Sequence, residues 1–311
     1  MGLALNVGYP PYPSFLSADP YYYWKLGELF KITELPLNVF GPSLFYKLFG
    51  RQFDIIFLAN LTILVSALIA FAKGVGKKPV IILFLALVNP IIFSQIFFVN
   101  KEIYMICVSL LLVASHRLDS RILEIAAIIL LIFTKIEFGA LVLFWLILKR
   151  FKLQFQYVVI VAILAGISLF YNRLPGMADK LGVLQANQGH NSLGLTVLLQ
   201  DWAYNHYLFF MVVVPRTILN IFSGFLDCVR GEGFTMASLP GVISSFVMSL
   251  LFLLATLKMI RNRSRIEPIF ILLWLILTAT VPFALHRYLL PIYPFLVSLC
   301  LADNSKVVTN A

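Results

Sequence analysis

Charged side chains are scarce in this chain. Asp, Glu, Lys and Arg make up 12 % of its 311 residues, about half of the ~25 % typical of soluble domains. With a mean hydropathy of +0.94, that shortage excludes an ordinary soluble core, because there is too little polar surface to cover one. Cysteine is scarce too. Cys107, Cys228 and Cys300 stand far apart, which leaves no disulfide framework and no metal-ligand spacing. Strand-like alternation is missing: "IILFLALV" and "LEIAAIILLIF" have no period of two, so a membrane β-barrel is excluded. No Walker-type phosphate loop, dinucleotide fingerprint or nucleophile elbow occurs. The opening "MGLALNVGYPPYPSF" lacks the basic flank and apolar core of a cleavable signal peptide.

What is present is apolar sequence, 61 % of the chain. Lipid requires each crossing segment to satisfy its own backbone hydrogen bonds, so long apolar runs read as helices of a multi-pass membrane protein. The formal charge of +10 gathers in four short clusters between apolar runs. These are Lys73, Lys77 and Lys78; Arg117 and Arg121; Lys149, Arg150 and Lys152; and Lys258, Arg261, Arg263 and Arg265. Short basic loops mark the cytoplasmic side of a membrane protein, and nucleic acid is not an expected partner.

The expected fold is an all-α polytopic membrane bundle in four stretches. Residues 1–52 form an outer-face region with amphipathic helices, one from Asp19 and Pro20 onward and one over "GPSLFYKLFG". Residues 53–171 hold the N-terminal membrane helices. Residues 172–239 form an outer loop region, with 207–223 as a re-entrant or interface-lying helix broken at Pro215. Residues 240–311 hold the C-terminal membrane helices. The apolar runs at 53–72, 79–98, 103–115, 122–134, 138–148, 154–171, 240–258, 267–284 and 288–302 predict about nine crossings. All four basic clusters then face the cytoplasm. This puts the N-terminal region outside with no span in front of it, so either the first span carries it across or an upstream helix is missing. Asn89 and Pro90, inside an apolar run, predict a kink or a polar packing contact.

This topology collects the uncommon polar residues on the outer side. Lys101 and Glu102 stand side by side in "FFVNKEIYMI", and Lys135 and Glu137 repeat the pattern in "FTKIEFG". Each pair is either a solvated turn or the lining of a site, since charge at the edge of a span is costly unless wet or paired. Asp19 is either a helix cap or a carboxylate able to act as general base toward a hydroxyl. Arg216, after Pro215, either snorkels to the interface or binds phosphate with its donor fork. His286 and Arg287 carry the same two readings. His190 and His206 read as structural or solvated.

Three stretches carry a resemblance. "SADPYYYWKLGELF…LPLNVFGPSLFYKLFG", "NPIIFSQIFFVNKEIYMICVSLLLVA" and "HRYLLPIYPFLVSLCLA" resemble segments of the multi-span GT-C-type membrane glycosyltransferases and the bacterial polysaccharide polymerases. The resemblance implies a polyprenyl-linked sugar donor and a glycan, lipid-linked or protein acceptor, used on the non-cytoplasmic face by an inverting displacement. It carries the base role to Asp19. It implies Arg287 and Arg216, then Lys101, against the leaving phosphate. Glu102 would orient Lys101 or bind acceptor hydroxyls, with Glu137, His286 and Tyr288 as further substrate contacts. Tyr21 stands where many relatives complete an acidic Asp-x-Asp pair, so no cofactor is expected with certainty and a divalent metal lacks its motif. A repeat-unit polymerase is the near alternative. A lipid-linked sugar transporter or flippase is the alternative of a different class, and a non-catalytic scaffold another.

Overall fold

The computed structural model describes residues 23, 25–27, 29–35, 39–49, 53–97, 99–171, 201–202, 205–206, 208–227, 239–261, 267–280 and 286–301. All regular secondary structure among them is helical. The chain divides into two compact units. Unit 1 is Met1–Gly139, Leu250–Glu267 and Pro291–Ala311, and unit 2 is Ala140–Ser249 and Pro268–Leu290.

Unit 1 is built on a helix whose apolar middle faces protein on every side. The helices in order are α1 (Phe40–Phe49), α2 (Phe53–Val75), α3 (Pro79–Val88), α4 (Pro90–Ser94), α5 (Lys101–Leu118) and α6 (Arg121–Leu130). Every residue of α5 from Lys101 to Ser115 is buried. An all-round apolar helix must be covered on all faces, and α2 and α6 pack along it. Gly74 lets α2 close in, because a Cβ there would lie 3.1 Å from the Ala114 Cα. The end of α2 is a Schellman cap. Gly76 takes φ +69°, its N–H donates to Lys73 O, and the Lys77 N–H donates to Ala72 O.

The expected break at Asn89 and Pro90 is present. α3 and the segment Pro90–Phe97 meet at 92°. Pro90 has no N–H to continue the first helix, and the Asn89 side chain caps the second by accepting from the Ile91 N–H at 3.2 Å.

α1 is held against protein along one face. Gly41, Pro42, Ser43, Phe45 and Tyr46 are buried. The Lys47 ammonium donates to Gly27 O and Phe30 O, at 3.2 and 2.8 Å. A Cβ at Gly41 would fall on the carbonyl oxygen of Ile132 and the Cα of Phe133, both backbone atoms that cannot swing away. Gly41→Ala is therefore expected to destabilise the fold by ~3 kcal/mol or more, the upper end for overpacking. Gly166→Ala, which meets nothing within 4 Å, should stabilise by about 0.5–1 kcal/mol through helix propensity. Thermal unfolding midpoints in detergent check both, and equal midpoints for the two variants would overturn the close packing of α1.

Unit 2 contains most of α7 (Ile136–Leu148), α8 (Leu153–Phe170), α9 (Phe209–Asp227), the first part of α10 (Leu239–Arg261) and nearly all of α11 (Glu267–Ala279). The Phe210 N–H donates to Ser168 Oγ at 3.1 Å, and the rings of Tyr171 and Phe209 stack at 4.7 Å, fastening the head of α9 to the tail of α8. Trp145 meets Phe270 edge-on at 5.5 Å.

The expectation of nine crossings is corrected. Three described helices are long and apolar enough to cross a membrane, within Asp54–Val75, Leu153–Phe170 and Leu239–Lys258, or four if the bent pair counts as one span. The reason is length. At 1.5 Å per residue the 13-residue helices α7 and α11 are each about 20 Å long, against a hydrocarbon core of roughly 30 Å. The run 122–134 divides into α6 and a 3₁₀ turn at Leu131–Phe133. The run 288–302 divides into a 3₁₀ segment at His286–Ile292 and α12 (Tyr293–Leu301), which lies in unit 1.

Candidate functional site

A group of the polar residues buried in unit 1 gathers at the N-terminal end of α5. Asn100 is the N-cap residue, Lys101 and Glu102 open the helix, and all three are buried. Unpaired helix N–H groups at this end favour negative charge, which suits the Glu102 carboxylate. Glu102 is 2 % exposed, and its Oε1 lies 3.8 Å from Lys135 Nζ. The Lys101 ammonium sits over the Tyr23 ring, 5.1 Å from its centroid. The two lysines thus meet different groups: Lys135 faces the Glu102 carboxylate, and Lys101 lies over the Tyr23 ring.

A hydrogen-bonded set surrounds this end. Asn60 Nδ2 donates to Ile96 O at 3.1 Å, and Tyr104 Oη donates to Asn60 Oδ1 at 3.0 Å. Asn100 Nδ2 donates to Gln95 Oε1 at 2.8 Å. Tyr104 also packs on Phe133, with ring centroids 5.1 Å apart. Among the described residues, Glu102 Oε2 and Asn100 Oδ1 are buried without a hydrogen-bond partner.

Lys101 and Glu102 are therefore part of a buried cluster rather than a solvated turn, and Lys135 joins them from a distant point in the chain. Glu137 is exposed in the first turn of α7. Asp19 lies outside the described residues, as do His190 and the side chains of His286 and Arg287. His206 is exposed and makes a 3.0 Å contact from Nδ1 to Trp202 O.

Arg216 does not snorkel. It is fully buried on α9 in unit 2, one residue after Pro215. Tyr171 and Tyr288 lie within electrostatic range of its guanidinium, so unit 2 brings two of the expected substrate contacts together. Tyr288 is half-buried, and its carbonyl oxygen accepts from Trp274 Nε1 at 2.6 Å. Asn220, one turn along α9 from Arg216, is also fully buried.

Asn60, Gln95, Asn100 and Asn220 are additions to the expected set. Their signal in the sequence is a lone amide inside an otherwise apolar run, as in "IIFLANLTILV" and "NPIIFSQIFF", which in a membrane helix marks a packing or site residue. Among the described residues, no three His, Cys, Asp or Glu side chains gather where they could hold a metal ion. Comparison with protein-family models, with curated proteins and with solved structures gives no match to this chain.

Proposed function

We propose that the chain is a membrane glycosyltransferase of the GT-C type in the bacterial plasma membrane. It moves a sugar from a polyprenyl-phosphate-linked donor to a glycan, lipid or protein acceptor on the non-cytoplasmic face. The observation that carries this reading is the ionisable cluster at the head of α5: a buried Glu102 carboxylate facing the Lys135 ammonium, with Lys101 buried next to it in the sequence. Ionisable groups kept inside an apolar bundle are functional by default.

The chemistry needs both signs of charge. An acceptor hydroxyl oxygen attacks the anomeric carbon, and the bond from that carbon to the phosphate oxygen breaks. The electron pair leaves with the phosphate, and the hydroxyl proton goes to a carboxylate base, Asp19. The configuration at the anomeric carbon inverts. Lys101 meets the growing negative charge on the phosphate, and Glu102 receives acceptor hydroxyls. A small apolar cleft in unit 1, lined by Leu64, Phe71, Ile82, Ile106, Tyr293 and Pro294, has the chemistry to contact part of the donor's prenyl chain.

The decisive assay gives the full chain, in membranes, a polyprenyl-phosphate donor carrying a radiolabelled sugar. Label should pass to an acceptor glycan or lipid, and label that remains wholly on the donor overturns the reading. A second reading, a lipid-linked sugar transporter, is favoured by the 92° break between α3 and Pro90–Phe97, since transporters use discontinuous helices. In that case the labelled donor changes leaflet in vesicles without losing its sugar.

A further inference from the structure

We propose that the end of unit 1 formed by the α2–α3 and α5–α6 turns docks an anionic phospholipid, its headgroup phosphate on Lys73, Lys78 and Arg121 and its acyl chains along α3 and α6. The tertiary structure brings these cations to one place. The C-terminal ends of α2 and α5 lie side by side, since a Cβ at Gly74 would lie 3.1 Å from the Ala114 Cα and 3.4 Å from the Arg117 Cβ. Two basic clusters distant in sequence thereby share one end of the unit. The structure also divides the cations by role. Arg117 is taken up inside, bonded to Glu267 and Ser298, and Lys258, from another cluster, donates to Cys300 O. Lys73, Lys78 and Arg121 are exposed, and among the described residues no carboxylate is paired with them. Together with Lys77 they stand against two acids at these turns, Asp119 and Glu124.

The helices that leave these turns supply the second chemistry. α3 starts just after Lys78, and α6 starts at Arg121. Each has ten residues, about 15 Å at 1.5 Å per residue, or half of the roughly 30 Å hydrocarbon core. Each helix is thus as long as one leaflet is deep. Val80, Phe84 and Leu87 form an exposed apolar stripe on α3, and Ile122, Ile125 and Ile129 form one on α6. Phe84 is 65 % exposed and Ile122 79 %. Cations therefore stand at the head of two apolar ridges of leaflet length. An anionic glycerophospholipid has the same order, phosphate first and acyl chains after it. Phosphatidylcholine is the poorer fit, because its own choline cation opposes the lysines and arginine that attract an anionic headgroup. The site is independent of the transferase reading. The Lys101 and Glu102 cluster lies at the other end of α5, an 18-residue helix about 27 Å long.

The test uses the full chain in phosphatidylcholine nanodiscs. These are doped with phosphatidylglycerol or phosphatidylcholine carrying a photoactivatable diazirine on an acyl chain. After irradiation, mass spectrometry of the digested chain reads which helices carry lipid. The phosphatidylglycerol probe should label α3 and α6 at least about fivefold more than the phosphatidylcholine probe, the effect of one surface cation. Lys73→Gln, Lys78→Gln and Arg121→Gln together should remove that preference. Lys73→Arg, Lys78→Arg and Arg121→Lys together keep the charge and should keep the preference. On the unaltered chain, sodium chloride at about 1 M, where the screening length is about 3 Å, should lower it. Arg150→Gln removes an exposed cation from the turn after α7 in unit 2 and should leave the preference unchanged. That control separates a site on unit 1 from the general attraction of a basic protein. Equal labelling of α3 and α6 by the two probes overturns the proposal. So does a preference that survives the glutamine variant or high salt, one that the charge-keeping variant loses, or one that Arg150→Gln lowers as far as the glutamine variant does.

Discussion

Asp19→Asn is expected to lower sugar transfer by about 10²–10⁴-fold, the contribution of a positioned general base, at an unchanged level of protein in the membrane. The substitution is chosen because Asp19 precedes Pro20 and so also has the position of a helix cap. Asparagine caps a helix as well as aspartate does, yet it cannot accept a proton at neutral pH. The cap survives and the base is lost, so a structural role predicts little change where a catalytic one predicts near-silence. The measurement is the initial rate of label transfer from a polyprenyl-phosphate-linked sugar, normalised to chain content by immunoblot. Equal rates for wild type and variant would remove Asp19 as base and turn the search to Glu102, which among the described residues is a buried carboxylate with an unpartnered oxygen.

The second large effect lies at the other end of α5. Arg117, in the last turn, bonds through Nη2 to Glu267 Oε1 and to Ser298 Oγ, and Ser298 donates to the same carboxylate oxygen at 3.3 Å. The Glu267 side chain is 3 % exposed and that of Arg117 16 %. This links α5 to the first residue of α11 and to α12. Removing one partner strands a buried charge, and Arg117→Met is expected to destabilise by roughly 3–5 kcal/mol. Replacing both, Arg117→Met with Glu267→Leu, takes the second charge out of the interior and should recover most of that loss. Titration with a denaturing detergent, followed by near-ultraviolet circular dichroism, reads the order of the three proteins. A double variant no better than Arg117→Met would show that the ion pair is not what holds these helices.

Much of the secondary structure was legible in the residues. Asn89 and Pro90 announced a break that is now a 92° turn, because proline removes the donor that the first helix needs and asparagine caps the next. The Lys101 and Glu102 pair marked the candidate site for a physical reason as well, since charge is costly in an apolar bundle and is kept only where it is paired or used. The number of crossings was not legible. Hydropathy counts apolar residues, and a helix of 13 residues such as α7 or α11 scores like part of a longer one. Nor was it legible that α5 is enclosed on all sides. Lipid and protein interior are equally apolar, so sequence cannot tell a helix facing one from a helix facing the other.

The residues alone determined the helical class, the apolar character of the bundle, the break at Asn89 and Pro90 and the uneven placement of charge. Each of these depends on neighbours a few positions apart. Only the tertiary structure decided which charges meet. Arg117 is a loop cation by its neighbours in sequence, and its partner Glu267 lies 150 residues away. Lys135 faces Glu102, 33 positions earlier (135 − 102), rather than Glu137 beside it in the sequence. Such pairings depend on which helices pack together, and packing between apolar surfaces is set by shape that no local pattern of residues records.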